Sequence, residues 1–81
     1  MPRLTPLHWR RLICVFEQVG YRIDRQTASH IQMTKAGAAR PLTVPRYTEV
    51  RLPIIGNLIR TSGITRDAFL ALLERLGGAA Q

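Results

Sequence analysis

A chain of 81 residues makes one compact domain, 1–81, and at that size about 60% of the unfolded surface is buried, which leaves a thin core and no room for a second domain. The apolar fraction of 46% is ordinary for a soluble protein, and no run approaches the roughly 18 uninterrupted apolar residues of a membrane span. The formal charge of +7, from eleven arginines and one lysine against five acids, favours a polyanion partner, because arginine's planar fork suits bidentate phosphate contacts.

The first predicted element is a helix. Thr5 is a capping residue, Pro6 suits a first helical position, and Leu4 can staple onto Trp9. Trp9, Leu12, Ile13, Phe16 and Val19 then recur at spacings of three and four as core positions, and Gly20 stands where a left-handed terminator belongs. Cys14 falls in the apolar run "LICVF", where a buried and inert thiol is expected. After Gly20 the period changes to two. Tyr21 and Ile23, then Ile31 and Met33, then Leu42 and Val44 define the inward faces of three short strands. "KAGAAR", centred on Gly37, predicts an antiparallel hairpin between the second and third strands, and Pro45 ends the third strand or lies on an edge.

Pro53 opens a second helix that carries Leu52, Ile55, Leu58 and Ile59 inward and closes at Gly63. Gly56 inside it costs about 1 kcal/mol relative to alanine, which points to a close packing contact or a functional approach. Thr65 caps a third helix, with Ile64 stapling onto Phe69 and an apolar stripe of Phe69, Leu72, Leu73 and Leu76. The terminal "GGAAQ", from about 77, is expected to fray. The order α-β-β-β-α-α specifies an α+β fold in which helices cover one face of a small three-stranded antiparallel sheet. Strand parity turns His30, Gln32, Thr34 and Thr43 to the uncovered face.

Two histidines, one cysteine and five scattered acids offer no metal-ligand cluster, and there is neither a phosphate-cradling glycine loop nor a nucleophile elbow around Ser29 or Ser62. No metal or cofactor is expected. What remains is His30 amid Arg25, Ser29, Lys35, Arg46 and Tyr47. RNA is cleaved without metal when a base removes the 2′-hydroxyl proton and cations stabilise the charge that builds on the phosphate. Imidazole, which titrates near pH 6.5 as a free group, takes such a proton. Arg25, Lys35 and Arg46 would hold the RNA backbone, with Ser29 and Tyr47 hydrogen-bonding a phosphate. The competing reading is that an exposed strand histidine is surface only, and that an arginine-rich composition decorates surfaces regardless of function. His8 reads as a solvated residue of the first helical turn.

Four stretches, "FEQVGYRIDRQ", "ASHIQM", "LTVPR" and "GNLIRTSGITRDAF", stand in this order between Val15 and Leu73, and together they resemble the HicA family of toxin endoribonucleases. The resemblance implies a double-stranded-RNA-binding-domain-like fold, metal-independent cleavage of messenger RNA, and a partner antitoxin of the HicB type. His30 matches the family's catalytic histidine. Two positions depart from the family pattern. Ala28 replaces the usual glycine before the histidine and is expected to stiffen the turn, and Tyr47 stands where many members carry a second histidine after "VPR".

Met1 to Thr5 lacks the features of a secretory signal, and a single cysteine forms no internal disulfide, so the cytoplasm is the expected compartment. A non-catalytic RNA-binding module on the same fold is the alternative function. A protein-interaction domain is a third, using the stripe on the last helix, although that stripe would equally complete the core.

Overall fold

The computed structural model describes residues 4–80, with side chains through 76, as α1 (Trp9–Val19), β1 (Arg22–Gln26), β2 (His30–Thr34), β3 (Leu42–Pro45), α2 (Leu52–Ser62) and α3 (Arg66–Ala80). The three strands form one antiparallel sheet in the order β1-β2-β3. This is the expected α+β architecture. Among the described residues, no helix is long and apolar enough to cross a membrane.

The first helix starts later than Thr5. Leu7 and Val50 form an isolated antiparallel bridge, with amide-to-carbonyl distances of 3.1 and 2.6 Å, and this long-range pairing holds residue 7 extended. The cap therefore falls to His8, whose Nδ1 accepts the Arg10 amide at 3.1 Å, so His8 is half-buried and structural rather than solvated. Leu12, Ile13, Val15 and Phe16 face the core. Cys14 does not. At about 100° per residue it lies on the opposite side of the helix from that stripe, and its thiol is exposed. Gly20, at φ 112°, ends the helix, its amide donating to the Glu17 carbonyl at 3.1 Å and that of Tyr21 to Phe16 at 3.0 Å.

Ile31, Met33, Leu42 and Val44 are buried where α1 and α2 pack over β3, and α1 packs in turn on α3. Gly37, at φ 85°, turns β2 into β3 with the Ala38 amide donating to the Lys35 carbonyl. The outer strand β1 is different, for every residue in it is exposed. Ile23 shares a face with its partner Met33, yet it is 38% exposed because β1 lies beyond the main helical cover, which corrects its assignment to the core.

The register shifts between Ile23 and Arg25, leaving Asp24 as the extra residue of a bulge. Arg22 pairs with Thr34 and Arg25 with Gln32, so two arginines three positions apart both face the open side of the sheet.

In α2, Ile55, Leu58 and Ile59 are buried, but Leu52 is 40% exposed, since it is the first residue of the helix and precedes its buried face. A Cβ added at Gly56 meets nothing within 4 Å, so no packing contact among the described residues requires glycine there. Gly56→Ala is accordingly expected to stabilise the fold by up to about 1 kcal/mol, raising the melting temperature by roughly 4–8 °C in calorimetry. A lower melting temperature would contradict the open surroundings of this position.

Thr65 caps α3 through the Ala68 amide, at 3.0 Å. Phe69 is fully buried against Phe16, with ring centroids 5.8 Å apart, while Leu72, Leu73 and Leu76 pack half-buried against the same core. The backbone continues as helix through most of the stretch expected to fray, and Gln81 lies outside the described residues.

Candidate functional site

The site grows from the hairpin loop between β1 and β2. The Thr27 amide donates to the His30 carbonyl at 2.9 Å, but the return bond is unusual. The His30 amide donates to Thr27 Oγ1 at 3.0 Å rather than to the Thr27 carbonyl, and the Ser29 amide reaches the same hydroxyl at 3.4 Å. The side chain thus substitutes for the backbone. The Thr27 carbonyl, relieved of that role, accepts Nη1 of Arg46 at 3.3 Å. Among the described residues only glycines have positive φ, so Ala28 sits in this loop without backbone strain.

His30 is exposed, as strand parity implies. Its Nδ1 lies 3.1 Å from Ser29 Oγ, a contact that steadies the ring and leaves Nε2 for a ligand. Across the strands His30 pairs with Pro45, which places Arg46 immediately beyond it. The Arg46 amide donates to the Ser29 carbonyl at 2.9 Å, and its guanidinium stacks on the Trp9 ring at 4.7 Å. Trp9 is only half-buried and serves as a platform as well as core. The Arg10 guanidinium lies 5.2 Å from the same ring, the His8 ring stacks at 5.7 Å, and the Trp9 amide donates to the Tyr47 carbonyl at 3.1 Å. A cation held on an exposed aromatic gains about 0.5–1 kcal/mol, enough to favour one arginine pose while its remaining donors stay free.

Other predicted residues are placed less evenly. Arg25, opposite Gln32, shares the open face with His30, and the bulge adds Arg22 to it. Tyr47 is 50% exposed beside Arg46 and has its backbone tied to α1. Lys35 is not brought to the group. It lies five residues along the β2 direction from His30, about 17 Å, with its ammonium 5.7 Å from the Tyr21 ring centre. Among the described residues no cluster of three or more acids, histidines or cysteines is placed to hold a metal.

Sequence reasoning passed over Thr27 and Trp9. The available signal for Thr27 was a hydroxyl residue three positions before the histidine in a tight hairpin. Thr27→Val is expected to cost about 1 kcal/mol and to speed exchange of the His30 amide proton, whereas Thr27→Ser keeps both near wild type. Amide exchange followed by NMR checks this, and equal exchange in the two variants would show the hydroxyl to be idle.

No curated protein and no solved structure gives a significant match to the chain. Residues 9–64 match the family model described as the HicA toxin of bacterial toxin–antitoxin systems. That span starts at the arginine-stacked tryptophan, takes in His30 and Arg46, and ends before α3. Covering well over half of the chain, it makes this protein a member of the HicA toxin family.

Proposed function

We propose that the protein is an endoribonuclease that cleaves messenger RNA by metal-independent transphosphorylation in the cytoplasm, inhibiting translation until a HicB-like antitoxin neutralises it. The observation that carries this reading is an exposed imidazole steadied by Ser29 beside an arginine anchored to both the histidine's loop and Trp9. His30 takes the proton of a ribose 2′-hydroxyl, and that oxygen attacks the adjacent phosphorus. The bond to the 5′-oxygen breaks. The products are a 2′,3′-cyclic phosphate and a 5′-hydroxyl end, the departing oxygen receiving its proton from His30 or from water.

Arg46 offsets the charge that develops on the phosphate, while Arg25 and Arg22 hold the strand on the open face. Ser29 and Tyr47 supply hydrogen bonds at the rim. An antitoxin with an acidic surface would cover this face and His30 together.

Purified protein incubated with single-stranded RNA in EDTA should yield these two kinds of ends. RNA binding without any cleavage would instead favour a non-catalytic RNA-binding module, a reading to which the tyrosine at position 47 gives some support.

A further inference from the structure

A second cationic hollow is centred away from His30. Arg40, Asn57, Arg60 and Thr61 line a cleft of about 550 Å³ between the start of β3 and the second half of α2. An adjoining hollow of about 240 Å³ shares Arg40, Asn57 and Thr61 and extends to Thr43. Among the described residues, no acidic side chain lines either one. The Arg60 guanidinium donates to Asn57 Oδ1 one turn earlier on the helix, so it is already oriented before any ligand arrives. The C-terminal end of α2 contributes about half a negative charge nearby, which the two full guanidinium charges outweigh.

We infer that this cleft is a second phosphate subsite, which takes a backbone phosphate of the same RNA strand that His30 engages. The inference rests on the proposed RNA substrate. Guanidinium forks with amide and hydroxyl donors in an open, concave and polar hollow match a phosphate, which presents acceptors in several directions. The position fits as well. Thr43 lies two residues from Pro45, the cross-strand partner of His30, about 7 Å along the strand. An extended single strand covers that distance in a nucleotide or two. The cleft would then set how much RNA beyond the scissile bond the protein must grip.

The test uses a short 2′-O-methyl oligoribonucleotide of mixed sequence, which cannot be cleaved through its 2′-oxygen, and measures binding by fluorescence anisotropy over a range of salt. The Arg40→Ala/Arg60→Ala double variant should bind about tenfold more weakly, and its plot of log affinity against log salt should be shallower by about 0.7, the loss of one phosphate contact on a single strand. The Arg66→Ala/Arg75→Ala double variant on α3, of equal charge change, should leave the slope unchanged. An unaltered slope in the double variant overturns the subsite while leaving the RNA reading intact, including the case in which that variant instead loses an acidic protein partner. An equal loss in the Arg66→Ala/Arg75→Ala variant overturns it too, since the effect would then be general charge. Failure of the wild type to bind the oligonucleotide at all overturns the RNA reading and the subsite together.

Discussion

His30→Ala is expected to lower the rate of RNA cleavage in EDTA by about 10²- to 10⁴-fold, the range that a positioned acid–base group supplies, with KM nearly unchanged. The partition follows from the geometry. His30 is exposed and its ring contacts Ser29, whereas Arg46 and Arg25, the proposed phosphate contacts in both the ground and transition states, are untouched by the substitution. The fold should not notice the change, since an exposed side chain with one polar contact typically contributes less than about 0.5 kcal/mol. Single-turnover cleavage and a melting curve on the same preparation measure both halves of this expectation. Equal cleavage by wild type and variant would mean a contaminating nuclease and would remove His30 from the mechanism.

Phe16→Ala should act in the opposite way, on stability first. Phe16 is fully buried, with the Tyr21 ring edge-on at 6.2 Å and the Phe69 ring at 5.8 Å, so it joins α1, the entry to the sheet and α3. Truncating such a residue costs about 3–5 kcal/mol, because the cavity left among three elements collapses only in part. A domain of this length has roughly 4–12 kcal/mol of total stability, so the loss removes a large share of it. Urea denaturation followed by circular dichroism should show the midpoint falling by roughly a quarter or more. A change below about 1 kcal/mol would contradict the three-ring packing.

The element order was legible because the apolar period changes at Gly20 and because Gly20, Gly37 and Gly63 all adopt the left-handed conformations that their positions suggest. What local pattern could not supply was long-range pairing. The bridge from Leu7 to Val50 moved the helix start from Thr5 to His8, and no window around Thr5 contains Val50. Ile23 had the right parity, but its burial depends on where the helices end over the sheet, which is a tertiary property. Cys14 was a legible error, since the same spacing that places Leu12, Ile13 and Phe16 inward turns residue 14 outward.

At the site, parity was sufficient for the exposure of His30, and its neighbourhood in sequence was sufficient for Ser29, while Arg46 is brought there by the pairing of His30 with Pro45. Lys35 was drawn in by sequence proximity alone, though an extended strand carries residues apart faster than any other element. Thr27 and Trp9 were hidden for another reason. The Thr27 carbonyl and the Trp9 ring face become meaningful only once β3 brings Arg46 alongside, whereas the Thr27 hydroxyl acts locally on the His30 amide.

The bare outer strand bears on how copies of this protein meet one another. A strand with no neighbour on one side normally invites a second chain to extend the sheet, the first step toward aggregation. On β1 that step meets two obstacles. Arg22 and Arg25 bring like charge against like charge, and the bulge at Asp24 breaks the even spacing of amides and carbonyls that a growing ladder requires. On the opposite border, Pro45 has no amide hydrogen to offer. Both margins of the sheet are thus poor templates for adding a strand from a second copy of the chain.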